Sequence, residues 1–260
     1  MSWLIKRALT FFSGESPDTS LSARLTDVVA ARDALVCILP LELVYIILDL
    51  AEYWVQVKSA CTLPRAVAAS NSPTHNASLC YLVTAPILDH NQHLDGEDGV
   101  RLKPVCVQFE ILSRDQGWVG DDHLRSTYQG HTWFEAAILR PSRTTDPTLH
   151  SWLDGAIRGP AKMDASIGYH AALEVTSDDA KSTRWELQRN FCASLFSYSH
   201  VVTWNVEVST TGTASGAGEG EGFVERLIAG DRIAVVARAQ YPQWCNNVAQ
   251  VVVTVHYALA

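Results

Sequence analysis

The stretch Arg232-Ile233-Ala234-Val235-Val236-Ala237-Arg238-Ala239-Gln240, followed by Tyr241-Pro242-Gln243-Trp244-Cys245-Asn246-Asn247 and then Gln250-Val251-Val252-Val253-Thr254-Val255-His256-Tyr257-Ala258-Leu259, decides the fold class. Ile233, Val235, Ala237 and Ala239 alternate with Arg232, Ala234, Val236 and Arg238. Past the turn-like segment, Val251, Val253, Val255, Tyr257 and Leu259 alternate with Gln250, Val252, Thr254, His256 and Ala258. A period of two puts alternate side chains on one face of a pleated strand, so each run reads as a strand with one buried face. The Pro/Asn segment between them joins the two strands in one sheet. This pattern predicts a β-sandwich that presents loops and argues against a nucleotide-binding α/β fold.

Working outward, Val105, Val107, Phe109 and Ile111 alternate with Cys106, Gln108 and Glu110, and Thr132, Phe134, Ala136 and Ile138 alternate with Trp133, Glu135 and Ala137. Further strands are expected near 80–87, 167–175, 184–192 and 200–208. The total is about eight, the number of a jelly roll. Ahead of them, residues 20–58 carry helical spacing, with Leu21, Leu25, Val28, Val29, Leu35 and Val36 on one side. Pro40 suits the start of a second helix. On it Leu43, Ile46, Ile47, Leu50 and Trp54 form one stripe, and Glu42, Tyr45, Asp49 and Glu52 the opposite one. The apolar run 35–55 is long enough to raise a membrane span. Pro40 and three carboxylates exclude it, because an acidic residue at mid-bilayer costs about 2.5–3.5 kcal/mol. Residues 59–79, rich in Ala, Ser, Pro and Asn, read as a linker. Residues 209–222, rich in Gly, Ser and Thr, read as a flexible loop. The expected organisation is a helical segment 1–58, a linker 59–79 and a mainly β domain 80–260, an α+β chain overall.

Composition narrows the function. Of the 260 residues 47% are hydrophobic, enough for a substantial core, and the net charge of -8 disfavours a nucleic-acid binder, which needs clustered Lys and Arg. The six cysteines (Cys37, Cys61, Cys80, Cys106, Cys192, Cys245) form no CxxC pair, so no zinc ribbon is predicted. Residues 1–12 place Lys6 and Arg7 inside their apolar run, not before it, the wrong order for a secretory signal. Reduced thiols in the cytoplasm or nucleus are therefore expected. The same segment reads as an apolar arm packing on the domain, with an interfacial membrane helix as the alternative. The sequon Asn76-Ala77-Ser78 has meaning only in a secreted chain.

Leu39-Pro40-Leu41-Glu42-Leu43, followed by Ile46-Ile47-Leu48, resembles the opening of an F-box, whose pattern begins Leu-Pro-x-Glu and continues with an Ile-Leu pair. The resemblance covers about fifteen residues; the later Trp-Arg pair of that family has no counterpart after Trp54. It implies docking on the linker subunit of a cullin-type ubiquitin ligase, through Leu39, Pro40, Glu42, Leu43, Ile46 and Ile47. The alternative is that this helix packs on the sandwich through Leu43, Ile47 and Leu50. Over most of the chain, Ala51-Glu52-Tyr53-Trp54, Ser113-Arg114-Asp115-Gln116-Gly117-Trp118, Thr127-Tyr128-Gln129-Gly130-His131-Thr132-Trp133-Phe134-Glu135, Gly230-Asp231-Arg232-Ile233 and Arg238-Ala239-Gln240-Tyr241-Pro242-Gln243-Trp244 resemble a set of uncharacterised fungal proteins. In those, an F-box-like helix precedes a β-rich region, a layout similar to F-box proteins with a galactose-binding-like sandwich. The resemblance implies an architecture and no activity.

Sugar recognition needs an aromatic platform with amides and carboxylates around it. Asp115, Trp118, Arg238, Tyr241, Trp244, Asn246 and Asn247 supply that chemistry if their loops meet; otherwise the two Trp plug the sandwich and the Asn pair forms a turn. Trp133 and Glu135, opposite Phe134, are expected to pack beneath the N-terminal helices. Asp89-His90-Asn91-Gln92-His93-Leu94-Asp95 offers ligand types without fixed geometry, and Asp95-Gly96-Glu97-Asp98-Gly99 lacks calcium-loop spacing, so no metal is expected. Gly216-Ala217-Gly218-Glu219-Gly220-Glu221-Gly222 lacks the Lys of a phosphate loop and reads as a linker. With no Gly-x-Ser-x-Gly and no His-Glu-x-x-His, no catalytic residue and no cofactor are predicted. The expected function is recognition without catalysis: a ubiquitin-ligase adaptor, or alternatively a lectin-like glycan binder, with a jelly-roll hydrolase as the third class.

Overall fold

In the computed structural model the described residues are 24–88, 101–142, 168–171, 184–206 and 216–260. Among the described residues, helices α1 (Leu25–Val36) and α2 (Leu41–Leu50) lead into ten strands: β1 (Val55–Cys61), β2 (Arg65–Ala68), β3 (Asn76–Val83), β4 (Leu102–Arg114), β5 (Thr132–Ser142), β6 (Gly168–Ala171), β7 (Trp185–Arg189), β8 (Tyr198–Asn205), β9 (Arg232–Gln240) and β10 (Cys245–Leu259). They form two antiparallel sheets of five strands. The first runs β1-β10-β4-β8, with β2 following β1 along the same edge of β10. The second runs β3-β9-β5, with β6 and β7 end to end along the far edge of β5. Counting β1/β2 and β6/β7 as interrupted single strands leaves eight positions. Successive positions alternate between the sheets except at β5 and β6/β7, which are neighbours in the second sheet, and this is the rolled connectivity of a jelly roll. The protein is mainly β, a sandwich behind two short helices.

Against the expectation from their patterns, β9 and β10 do not share one sheet but lie in opposite sheets, and their alternation sets the core between them. Ile233, Val235, Ala237 and Ala239 face Val251, Val253, Val255 and Tyr257 there, all buried. One irregularity in β10 matters. Its pairing with β4 shifts between Val248 and Gln250, so an extra residue changes the phase of the strand. Odd-numbered residues point inward after the bulge, and even-numbered Asn246 and Val248 point inward before it. Edge-to-face aromatics fill the centre: Phe109 on Trp204 at 4.9 Å, Trp204 on Phe223 at 4.8 Å and Trp185 on Phe223 at 5.0 Å.

Several sequence expectations are corrected. The 59–79 linker is instead structured: β1 enters it, β2 lies within it, and β3 begins in it. Tyr81 holds this region down, its hydroxyl donating to the Leu63 carbonyl at 2.8 Å. Residues 216–222 are not a free linker either. Trp204 Nε1 donates to the Gly218 carbonyl at 2.9 Å and Trp185 Nε1 to the Glu221 carbonyl at 3.0 Å. Gly220 lies so close under the Trp204 indole that a Cβ would overlap the ring. The helices rest on the first sheet, α1 against β1 and α2 against β10. Trp133 and Glu135 stand on the outer face of the second sheet, so they do not lie beneath the helices. Neither helix among the described residues is long and apolar enough to cross a membrane. The arm 1–12, the loop 89–99 with its metal-ligand types, and residues 209–215 lie outside the described residues.

Candidate functional site

Two surfaces contain the residues singled out by the sequence: the loop end, where β4, β7 and β10 meet their connections, and the outward side of α2. At the loop end Asn246 is fully buried. Its Oδ1 accepts from Asn190 Nδ2 at 2.9 Å, and its Nδ2 donates to the Trp133 and Arg238 carbonyls at 3.0 and 3.3 Å. Asn190 in turn accepts from the Ser113 hydroxyl at 2.7 Å and donates to Thr132 Oγ1 at 3.0 Å. This network ties β4 and β10 of one sheet to β5 and the β7 exit of the other. Every amide donor and acceptor in it is matched, the condition under which buried amides are tolerated.

Asp115 is equally closed. Its two carboxylate oxygens accept from the Gly117 and Ala193 backbone N–H groups at 2.8 and 2.7 Å, and it has no exposed surface. Burial pushes its carboxyl above the usual range, against the pull of those N–H donors. Its backbone carbonyl accepts from Asn247 Nδ2 at 2.9 Å. Asp115 therefore latches the 115–118 and 193–196 loops together. Next to that latch, Trp118 is 50% exposed, and Leu195 and Phe196 are 75% and 78% exposed, an apolar tip on a rigid base. Ser194 Oγ bridges the Phe196 backbone N–H and carbonyl, fixing the second loop.

Of the seven expected ligand contacts, then, Asp115 and Asn246 are fold residues with no surface to offer. Asn246 and Asn247 are not in a turn; they pair as strand residues with Val67 and Ala66 of β2. Trp244 packs on His131 at 5.0 Å and covers Gly130, and Tyr241 meets the other side of the cluster at 4.6 Å from His131. Burial lowers the His131 pKa. Arg238 bonds Glu135 at 3.2 Å and Asn76 at 2.8 Å, and its guanidinium lies 5.4 Å from the Trp133 ring centre. Trp118 and Tyr241 keep half-exposed rings. The constellation is dispersed. Beside it runs a groove of about 660 Å³ lined by Ser126, Thr127, Tyr128, Gln129, Glu186 and Arg189.

Leu195, Phe196 and Asn190 escaped the sequence reading, and Ser113 was quoted there within a motif but given no role. The Leu195-Phe196 pair, set between Ser194 and Ser197 where no strand pattern runs, was the one available signal.

On α2 the helix divides cleanly. Val44 has no exposed surface and Leu48 is buried, one turn apart on a helix that packs against both α1 and β10. Leu43, Ile46, Ile47 and Leu50 project outward, Leu50 to 82% exposure. Packing through Leu43, Ile47 and Leu50 is thereby corrected: the fold takes the neighbouring stripe. Pro40 and Glu42 are exposed and Leu39 half-buried at the helix entry. Trp54 turns back instead, donating to Asp49 at 2.9 Å and meeting His256 edge-on at 5.9 Å. All six cysteines are free, and burial raises the Cys80 and Cys106 thiols to about 12 and about 11, away from thiolate chemistry. No protein-family model matches this chain, and no curated protein is significantly similar to it.

Proposed function

We propose that this protein is a non-enzymatic recognition module: the outward side of α2 docks a protein partner, and the latched loop end supplies a second contact surface. The supporting observation is the division of α2. Its fold contacts are complete through Val44 and Leu48, yet Leu43, Ile46, Ile47 and Leu50 remain outside. Apolar anchors at i, i+3, i+4 and i+7 on a fixed helix are the form in which a helix fills a partner's groove. In its specific form, the partner is the linker subunit of a cullin-type ubiquitin ligase, with Leu39, Pro40, Glu42, Leu43, Ile46 and Ile47 at the contact. Trp118, Leu195 and Phe196 then face the target. This reading puts the chain in the cytoplasm or nucleus, where its free thiols stay reduced.

Co-expression with that linker subunit, followed by size-exclusion chromatography, tests it. Wild type should co-elute; Leu43→Glu, shown folded by circular dichroism, should not. A well-folded wild type that elutes alone removes the adaptor form.

A glycan-binding reading retains one observation in its favour, the half-exposed rings of Trp118 and Tyr241, which suit the apolar face of a sugar. Two of the polar groups it called on, Asp115 and Asn246, are closed within the fold. A glycan screen whose signal disappears in Trp118→Ala would favour it over protein docking.

A further inference from the structure

The loop end carries an apolar tip that the fold leaves outside. Trp118, Leu195 and Phe196 sit on two loops that touch: a Cβ added to Gly117 would lie 3.0 Å from Leu195 Cδ2. Tyr198, 41% exposed, begins β8 just behind them. Neither 116–120 nor 191–201 contains an Asp, Glu, Lys or Arg. The backbone at the tip is also hydrogen-bonded from within. Gln116 Nε2 donates to the Trp118 carbonyl at 2.6 Å, and Ser194 Oγ serves both the N–H and the carbonyl of Phe196, at 3.1 and 2.8 Å. The Gly117 and Ala193 N–H groups are held by Asp115.

We propose that this tip inserts into the apolar layer of a lipid bilayer, so that the loop end is a peripheral membrane anchor. Three observations favour a bilayer over a protein. Side chains as exposed as Leu195 and Phe196 project from the surface instead of lining a groove, and a fluid acyl layer accepts a projection without a shaped pocket. Hydrocarbon offers no hydrogen bonds, so a backbone enters it without a large penalty only where its polar groups are matched internally, as they are at Phe196 and at the Trp118 carbonyl. Charge would oppose entry, and Arg114, Asp121 and Asp122 lie outside the tip sequence. Trp118 and Tyr198 join an apolar ring to a polar handle, which suits the level of the headgroups. With no Lys or Arg clustered at the tip, neutral headgroups suffice. The inference rests on the loop end being a contact surface and names what it contacts; docking through α2 is independent of it.

Flotation of the full chain with phosphatidylcholine vesicles tests it. Wild type should float equally well at about 0.15 M and about 1 M salt, because apolar insertion is not screened. Leu195→Ser/Phe196→Ser, shown folded by circular dichroism, should partition at least about tenfold more weakly. Phe196→Leu, which keeps the tip apolar, should float as wild type does. Phosphatidylcholine brominated in its acyl chains should quench wild-type fluorescence more than that of Trp118→Phe, which lacks the inserted indole. Wild type that fails to float overturns the inference and leaves the tip to a protein or glycan target. So does flotation that the double Ser variant retains, or that high salt abolishes. Linker-subunit binding is read separately. A complex without flotation removes the bilayer and leaves α2 docking standing; flotation without a complex removes that partner and leaves the anchor standing. Flotation lost in Leu43→Glu and kept in the double Ser variant puts the bilayer on α2 and removes both.

Discussion

At the loop end, Asn190, Asn246 and Asp115 are polar, buried and completely hydrogen-bonded, whereas on α2 Leu43, Ile46, Ile47 and Leu50 are apolar and face solvent. Both regions contain residue types that the sequence marks as binding chemistry. In the first, the fold itself satisfies every group, so nothing remains for a ligand. In the second, the fold takes Val44 and Leu48 and leaves the neighbouring stripe unpartnered. Residue type names the chemistry a side chain can perform; only packing decides whether the fold has already taken it.

The comparison breaks most readily through Asn246→Ala. That change orphans the Asn190 amide and two carbonyls, and at roughly 1–3 kcal/mol per buried unsatisfied group it should lower stability by about 3 kcal/mol. Urea unfolding checks it; a loss near zero would mean the network is ornamental and Asn246 available for a ligand. Asp115→Ala should lose about 2 kcal/mol by freeing two backbone N–H groups. It should also expose the 193–196 loop to proteolysis, which limited digestion would show.

Leu48→Ala and Leu43→Glu sharpen the other half. Removing the inward side chain should cost about 2 kcal/mol through the cavity it leaves. Charging the outward one should change stability by less than about 1 kcal/mol, as at most surface positions. Equal losses in thermal or urea unfolding would show that both stripes are packed within the fold.

The smallest effect is in pH. Burial lowers the pKa of His200 and His256 below the ordinary imidazole value of about 6.5, and each has one buried ring nitrogen without a partner. A group with a depressed folded pKa contributes stability above its unfolded value, lost as pH falls through the folded value. Unfolding should therefore become easier as pH falls below about 6.5, the unfolded value of a histidine, and His200→Phe should flatten part of that slope. Asp115, with its raised pKa, acts in the opposite sense and at lower pH: its contribution is present below its unfolded value and lost as pH rises through the folded one. A stability profile flat below neutrality would contradict the histidine assignment.

The sandwich was legible because Ile233–Ala239 and Val251–Leu259 alternate without interruption, and period-two burial is a local property. The bulge after Val248 was not legible, since an extra residue leaves no mark in composition; it turned Asn246 from an apparent loop ligand into a core residue. The linker reading of 59–79 failed for a related reason. β1 and β2 are short, with exposed positions, and are held by pairing to the distant β10, which no local pattern records. On α2 the helix and its apolar excess were clear. The choice of Val44 and Leu48 over Leu43 and Ile47 depended on how the helix meets the sheet.

The central claim is that the outward stripe of α2 binds a partner while the loop-end polar residues hold the fold. Titration of purified linker subunit against the wild type, Leu43→Glu and Trp118→Ala tests it in one experiment. The account predicts measurable binding by wild type, at least about tenfold weaker binding by Leu43→Glu, and no change for Trp118→Ala. Equal affinity for wild type and Leu43→Glu, or a loss confined to Trp118→Ala, would contradict it and move the docking surface to the loop end.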